Sequence, residues 1–158
     1  MVEKKDLAGV EGLEESREAA WRSFITTYAV VIERIERELA EAELPPLGWY
    51  DVLLELSVAP GRRLRMHELA RAVVLSRSGL SRLVDRLESA GLLRREPDPT
   101  DRRGSFAVLT EEGAAMRKRM WPVYARGIAE HFGRHLADEE VKTLTEALKR
   151  VLAAAREP

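Results

Sequence analysis

The sequence lacks cysteine altogether. Disulfide bonds, thiolate metal ligands and redox sensing through cysteine are therefore excluded on chemical grounds. Long apolar runs are also missing, because no stretch approaches the roughly 18 residues that a membrane-spanning helix needs. Residues 1–6 are too polar for a secretory signal. These absences predict a cytoplasmic protein that has no membrane partner.

Recognisable catalytic motifs are missing too. A nucleophile with its base, a glycine-rich phosphate loop or a metal cluster would each have a characteristic spacing, and the sequence shows none. We therefore predict that the protein is not an enzyme and uses no cofactor. The chain of 158 residues is long enough for one domain that buries roughly two thirds of its unfolded surface.

What the chain does contain is an uneven distribution of charge. Its formal net charge is −1, yet residues 61–104 carry 11 Lys+Arg and 6 Asp+Glu, whereas the rest carries 15 and 21. Such a basic block in a near-neutral chain is typical of nucleic-acid binding. Arginine outnumbers lysine by 21 to 5, which suits phosphate and guanine contacts but is equally explained by genome composition.

The basic block contains a predicted amphipathic helix with an apolar stripe at helical spacing. The stripe consists of Leu80, Leu83, Val84 and Leu87. The opposite face carries Ser78, Ser81, Arg82 and Arg86. Ser76 or Ser78 is placed to cap the start of the helix, and Gly91 is placed to end it in a left-handed conformation.

A β-hairpin is predicted directly after this helix. Residues 92–95 and 105–109 are strand-like, and residues 96–104 between them are dense in turn formers, which predicts a long charged tip. A helix with an arginine-bearing face fits the major groove of DNA, and a cationic hairpin tip reaches the adjacent minor groove. The alternatives are a solvated helix face and a self-contained salt-bridged turn.

Two short segments have a specific spacing, DPTDRRG at residues 98–104 and LTEEG at residues 109–113. They are similar to the wing signature of the MarR family, which are winged helix-turn-helix transcription regulators. SRLVDRLE at residues 81–88, followed by Gly91 and Leu92, resembles the recognition helix of that family. The similarity extends more weakly over residues 44–151. It implies a fold that is mainly α with a small β-hairpin wing.

Candidate DNA contacts lie on the polar side of the recognition helix and on the wing. Those of the recognition helix are Ser76, Arg77, Ser78, Ser81, Arg82 and Arg86. Those of the wing are Asp98, Asp101, Arg102, Arg103 and Gly104. We expect one wing arginine to enter the minor groove, while Asp98 or Asp101 orients an arginine across the loop. Arg86 has the alternative of pairing with Asp85 or Glu88.

Other helices are predicted on both sides of this region. Apolar residues keep the helical period from Trp21 to Leu39. The further expectations are a helix over 47–56 ended by Pro60-Gly61, a short strand over 64–66, and a first helix of the helix-turn-helix over 67–74. After the wing, Thr110 is placed to cap a helix that reaches about Leu136. Pro122 bends this helix, or two helices meet at Trp121.

The last predicted helix starts at Asp138 and carries a 3,4,3 apolar seam, typical of helix–helix packing. The seam consists of Val141, Leu144, Leu148 and Val151. On periodicity alone, the terminal helices either fold back on each other or form a dimer. The resemblance implies a homodimer with dimerisation helices over about 13–43 and 114–158 and a winged helix-turn-helix part over about 44–113. Residues 1–12 lie outside the resemblance, and because they are charged and show no periodicity we expect a flexible tail there. A two-fold dimer presents recognition helices to half-sites roughly 34–36 Å apart.

The resulting prediction is a sequence-specific regulator of double-stranded DNA, acting as a homodimeric repressor on a pseudo-palindromic operator. Relatives bind small aromatic acids where the dimer helices meet the DNA-binding part, so a small effector is expected to release the DNA. Candidate lining residues with an apolar body or a polar handle are Trp21, Tyr28, Trp49, Tyr50, Arg65, His67 and Tyr124. For each of them the favoured interpretation is a core residue, because a helical stripe of aromatic residues needs no ligand to explain it. A ligand-independent regulator and a protein-interaction module remain alternatives.

His131 and His135 are spaced to share a metal on one helix face. Since cysteine is absent and Gly133 lies between them, a polar helix face is the favoured interpretation, and we predict no metal site. A metal-responsive regulator is kept as an alternative.

Overall fold

The structure is a computed structural model that describes residues 13–73 and 79–157. Its helices are α1 (Glu15–Glu41), α2 (Leu47–Val58), α3 (Met66–Ala72), α4 (Leu80–Ser89), α5 (Glu111–His131) and α6 (Asp138–Arg156). Its strands are β1 (Arg63–Arg65), β2 (Leu93–Asp98) and β3 (Asp101–Leu109). The fold is mainly α with a small antiparallel sheet, as predicted. The predicted tail lies outside the described residues, and no helix within them is long and apolar enough to cross a membrane.

The sheet has three strands in the order β1-β3-β2, so β3 lies in the centre. Arg65 pairs with Phe106 at the β1 edge, and Leu93 pairs with Leu109 where β2 begins. The short strand expected over residues 64–66 is β1, shifted by one residue towards the N-terminus. The hairpin of β2 and β3 is therefore anchored along one side by a strand that precedes α3.

The long hairpin tip expected over residues 96–104 is wrong. The strands continue to Asp98 and restart at Asp101, so that only Pro99 and Thr100 form the turn. The Asp98 carboxylate accepts hydrogen bonds from the backbone N–H of Thr100 at 2.9 Å and from its hydroxyl at 2.7 Å. This side-chain bond closes a tight turn locally, which extends the ladder into a segment that is rich in turn formers.

Two apolar clusters form the core. The larger joins α2, α3, α4 and the sheet, and it confirms the predicted stripe of α4, since Leu80, Val84 and Leu87 are buried and Leu83 packs against them. The smaller cluster joins α1, α2 and α5. Its buried members are Ile35, Leu39, Leu47, Tyr50 and Met120. Because α2 and α5 contribute to both clusters, these two helices connect the winged part to the terminal helices.

Helix α5 runs without interruption through Pro122. The alternative of two helices meeting at Trp121 is therefore wrong, and the helix ends at His131 rather than at about Leu136. Proline removes one backbone hydrogen bond and its ring crowds the carbonyl four residues earlier, but the bonds of the neighbouring turns preserve the helix on either side. The predicted cap is confirmed, because the Thr110 hydroxyl oxygen accepts a hydrogen bond from the N–H of Gly113 at 3.0 Å.

The junction between α4, β2 and α5 is unusually close. Gly91 ends α4 with φ +74°, as predicted, and the N–H of Leu92 then donates to the carbonyl of Leu87 at 2.9 Å. The Thr110 hydroxyl donates to the carbonyl of Gly91 at 2.7 Å. A Cβ atom at position 113 would lie 2.0 Å from the carbonyl oxygen of Leu92. Only glycine permits this approach of α5 to the start of β2.

The outer parts of α1 and α6 bury little within one chain. The helix predicted from Trp21 to Leu39 is confirmed as α1, but only Ile35 and Leu39 of its stripe are buried. Helix α6 starts at Asp138 as predicted, yet it has no buried residue. Exposed apolar side chains on these two helices are Trp21, Phe24, Ile25, Tyr28, Val30, Val141, Leu148, Val151 and Leu152.

Replacing Gly113 by alanine should lower the free energy of unfolding by about 2–3 kcal/mol, because the new methyl group overlaps a backbone carbonyl that no rotamer change can move. Urea titrations followed by circular dichroism at one protein concentration measure the effect. Gly133→Ala is the matched control. Its Cβ would meet nothing closer than 3.7 Å, so we expect a change within about 0.5 kcal/mol. Equal stability of the two variants would contradict the close junction.

Candidate nucleic-acid interface

Helix α4 presents a polar face to solvent. Ser81, Arg82 and Arg86 are exposed on it, opposite the buried stripe. Gly79 precedes the helix in a left-handed conformation with φ +76°. The other predicted contacts of this segment, Ser76, Arg77 and Ser78, lie outside the described residues, as do the Ser76 and Ser78 capping predictions. Among the predicted contacts, the described part of α4 therefore offers the Ser81 hydroxyl and two guanidinium groups to a ligand.

The acidic residues of α4 are occupied by the sheet. Asp85 accepts from the Arg95 guanidinium at 2.7 Å, and Glu88 bonds both the guanidinium at 3.2 Å and the backbone N–H of Arg95 at 2.7 Å. The alternative that Arg86 pairs with Asp85 or Glu88 is therefore wrong. Asp85 and Glu88 bind Arg95 of β2 instead, and β2 is adjacent to α4 only in the folded chain. Arg86 takes part in no ion pair with another described residue.

The two arginines of the wing lie at the start of β3. Arg102 and Arg103 are both exposed, and the backbone N–H of Arg103 donates to the Asp101 carboxylate at 3.0 Å. Gly104 lies behind this turn, where a Cβ atom would come within 3.1 Å of the Asp101 carboxylate. Asp101 and Gly104 thus shape the backbone from which both guanidinium groups project.

Asp98 fixes the tip of the wing. Its side chain is only 1% exposed, and it accepts from the Arg65 Nε at 2.7 Å in addition to the two bonds from Thr100. The hydrogen bonds from the hydroxyl and N–H of Thr100, with a smaller effect of Arg65, lower the pKa of Asp98 from 3.8 to about 2, although burial opposes the shift. The arginine that this carboxylate orients is therefore Arg65 at the end of β1.

A cavity of about 370 Å³ brings the helix and the wing together. It is lined by Ser81 of α4 and by Asp98, Asp101, Arg103 and Gly104 of the wing. Five predicted contacts, distant in sequence, therefore surround one space. Arg82 and Arg86 line a separate cavity of about 340 Å³ beside α1 and α2, and Arg102 lines neither of these two.

Ion pairing divides the arginines of the basic block into two groups. Arg62, Arg63, Arg65, Arg94 and Arg95 each pair with an acidic side chain. Arg71, Arg82, Arg86, Arg102 and Arg103 take part in no ion pair within residues 13–73 and 79–157. The second group stays available for an external anion. Sequence reasoning did not single out Arg71. The signal that could have identified it is its position on the exposed side of α3.

The seven candidate pocket residues do not line one pocket. Arg65 and His67 line the cavity between α4 and the wing, and Trp49 lines the cavity that contains Arg82. Tyr28 lines an apolar cavity of about 630 Å³ between α1 and the last two helices. Trp21 is exposed on α1. The structure brings together only Tyr50 and Tyr124 as a direct ring pair.

Tyr50 and Tyr124 belong to an aromatic cluster between α2 and α5. Their rings meet edge to face at 5.1 Å, and Trp121 stacks on Tyr50 at 6.1 Å. Burial, together with the neighbouring Tyr50, Asp51 and Tyr28, raises the pKa of Tyr124. These rings pack the junction of two helices, which supports the core interpretation of both tyrosines.

His131 and His135 bind different partners. The Nε2 of His131 lies 2.5 Å from the Glu38 carboxylate, which joins α5 to α1. The Nε2 of His135 lies 3.1 Å from the backbone carbonyl of Glu130. No group of three or more His, Cys, Asp or Glu residues suited to a metal ion occurs in the part of the chain that the structure describes.

The sequence is similar to a family model and to known transcription regulators. The MarR family model matches residues 43–104. The HTH-type transcriptional regulator MhqR of Bacillus subtilis is 37% identical over 86 residues, which are 54% of this chain and 59% of that protein. The transcriptional activatory protein BadR of Rhodopseudomonas palustris is 30% identical over 158 residues, which cover 96% of this chain and 87% of that protein.

The structural likeness extends beyond the winged part. Sco3205, a MarR family transcriptional regulator from Streptomyces coelicolor solved in complex with DNA, matches with a TM-score of 0.81 at 36% identity. This match covers 92% of this chain and 91% of that chain. Since this likeness covers nine tenths of both chains at 36% identity, the chain belongs to the MarR family, whose members are transcription regulators rather than enzymes.

Proposed function

We propose that the protein is a homodimeric repressor that binds a pseudo-palindromic site on double-stranded DNA. The observation that carries this proposal is the group of exposed arginines on α3, α4 and the wing that have no described acidic partner. Guanidinium groups without an internal partner favour phosphate and base contacts. Sco3205 was solved in complex with DNA, which supports the same activity for this chain.

In this proposal, α4 enters the major groove and Arg102 or Arg103 enters the adjacent minor groove. Ser81, Arg82 and Arg86 approach base edges or phosphates. Arg65 and Asp98 contribute indirectly, because their ion pair holds the hairpin against α3. The candidates Ser76, Arg77 and Ser78 immediately before α4 complete the predicted contact surface.

The dimer is supported by apolar surface that one chain leaves uncovered. The cavity of about 630 Å³ is lined mainly by apolar side chains of α1, of α6 and of the segment between α5 and α6, among them Phe24, Phe132, Leu144 and Leu148. Exposed Trp21 and Val151 lie on the same two terminal helices. Contiguous apolar surface of this kind marks an interface, and a second copy with two-fold symmetry supplies a matching face.

Release of DNA by a small effector is the regulatory part of the proposal. An effector that binds better to a dimer with altered spacing between its two α4 helices lowers DNA affinity by the same coupling free energy, typically about 1–3 kcal/mol. BadR carries the name of an activatory protein, so reporter expression with and without the protein tests repression directly. Expression that falls when the protein is absent would contradict it.

Removal of either wing arginine should weaken operator binding. If the arginine enters the groove, we expect Arg102→Ala or Arg103→Ala to raise the Kd for DNA by roughly tenfold to a hundredfold. If it binds a phosphate instead, the slope of log Kd against log salt concentration should fall by about one. Fluorescence anisotropy on duplex DNA from the protein's own upstream region, against a scrambled duplex over a salt series, measures both.

Arg94→Ala is the matched control for this experiment. Arg94 is an exposed arginine of the same hairpin, but its guanidinium is held by Glu96 at 2.9 Å. Arg94→Ala removes the same charge as the wing variants. We expect its Kd for DNA to stay within about twofold of the wild-type value, because an exposed charge that is already paired contributes little. Identical losses for all three variants would mean that net charge alone sets the affinity.

Asp98→Asn should change how stability depends on pH. Because the folded pKa of about 2 lies below the ordinary 3.8, the charged carboxylate stabilises the fold above about pH 4, and this contribution disappears as pH falls through about 2. The difference in free energy of unfolding between wild type and variant should therefore shrink over that window in urea titrations. A difference that stays constant with pH would contradict the role assigned to Asp98.

An acidic substitution on α6 should separate the dimer without unfolding the chain. Val151 is 65% exposed within one chain, so Val151→Asp affects folding of the chain little but places a charge in an apolar interface. Light scattering after gel filtration should show twice the mass of one chain for wild type and for the exposed polar control Lys149→Asp, and a lower mass for Val151→Asp. A monomeric wild type at micromolar concentration would overturn the proposed dimer.

A further inference from the structure

The cavity between α4 and the wing contains polar groups that the predicted DNA contacts do not include. Its volume is about 370 Å³. His67 of α3 and Ser105 of β3 line it, together with Ser81 of α4. Among the described residues that line it, Met66 has the one apolar side chain. The cavity is therefore a polar gap between two elements to which we assign different DNA grooves.

The proposed docking determines what this gap faces. When α4 lies in the major groove and the wing lies in the adjacent minor groove, one sugar-phosphate strand separates the two grooves. That strand has to pass between α4 and the wing. The side chains that line the gap therefore face phosphate oxygens rather than base edges.

The charges around the gap favour an anion. Asp98 accepts from the Arg65 guanidinium at 2.7 Å, and Asp101 accepts from the backbone N–H of Arg103 at 3.0 Å. Arg95 binds acidic side chains of α4 outside the gap. The Arg103 guanidinium takes part in no ion pair within the described ranges, so its charge stays available to an anion at the mouth of the cavity.

The side chains of His67, Ser81 and Ser105 have unused hydrogen-bonding groups. None of the three has a hydrogen-bond partner among the residues that the structure describes. Two hydroxyls and an imidazole each provide a donor for an anionic oxygen. Donors from α3, α4 and β3, which are distant in sequence, thus surround one space.

We propose that this cavity seats one phosphate of the DNA strand that runs between the two grooves, with His67 and Ser105 as further contacts. Ser81 binds the same phosphate from the side of α4. This inference rests on the proposed function and adds two residues to its DNA contacts. Because the phosphate is the same at every base pair, these contacts increase affinity without adding sequence preference.

Loss of either side chain should weaken binding to all DNA equally. We expect His67→Ala and Ser105→Ala each to raise the Kd roughly tenfold, both for the duplex from the upstream region and for the scrambled duplex, because a hydrogen bond to a charged group is lost. Ser89→Ala is the matched control, since Ser89 is an exposed hydroxyl residue of α4 that does not line the cavity. Its Kd should stay within about twofold of wild type in the same anisotropy titrations.

The charge of the phosphate can be tested from both sides. His67→Glu should weaken binding more than His67→Ala, because its carboxylate repels the phosphate. A methylphosphonate removes the charge of one phosphate, and it is placed at one position of the duplex at a time. At one position in each half-site it should weaken wild-type binding but leave the Kd of His67→Ala unchanged, as expected for two partners of one contact.

The outcomes separate this inference from the proposed function. A wild-type protein that binds neither duplex would overturn both. If wild type binds DNA but folded His67→Ala and Ser105→Ala bind as Ser89→Ala does, only the phosphate site is overturned. A loss confined to the upstream duplex would also overturn it, because that loss indicates base recognition. Because His67 is exposed, its variants should keep the circular dichroism spectrum, and they decide the test if Ser105→Ala fails to fold.

Discussion

The fold depends on a backbone contact that only glycine allows. At Gly113 the first turn of α5 packs directly on the carbonyl of Leu92, and the Thr110 hydroxyl bonds the carbonyl of Gly91 while it caps the same turn. The end of α4, the start of β2 and the start of α5 are therefore fixed at one point. The orientation of the winged part relative to the terminal helices follows from this contact, because α5 continues from it into the second core cluster.

The arginines around the sheet form two groups, those that pair with an acidic side chain and those that do not. Acidic side chains hold those that join one element to another, as Asp98 holds Arg65 and as Asp85 holds Arg95. The remaining arginines are left at the surface of α3, α4 and the wing. A basic block with a charge of only a few units thereby presents its free guanidinium groups on the elements that the proposed DNA complex uses. The internal pairs set the geometry of the sheet and α4, and the unpaired side chains are those to which we assign the DNA contacts.

The sequence predicted those elements that are determined by residues close to one another in the chain. The stripe of α4, the left-handed Gly91 and the Thr110 cap all follow from neighbours within a turn or two. The short turn after Asp98 was missed because turn formers were counted without the Asp98–Thr100 bonds that close it. The partner of Asp85 was missed because Arg95 approaches it only through tertiary structure. All of the predicted DNA contacts stay predictions, as does the effector, and those at positions 76–78 also lie outside the described residues.

Helix α5 has 21 residues, so it is about 30 Å long at 1.5 Å per residue. One end is clamped at Gly113, and the other is joined to α1 through His131 and Glu38. An unbroken rod of this length converts a tilt of about 6° at one end into a displacement of about 3 Å at the other. That distance is close to the roughly 3.4 Å rise between neighbouring base pairs. In the proposed DNA complex, a rearrangement of this size among the terminal helices would shift the wing by about one step along the DNA helix.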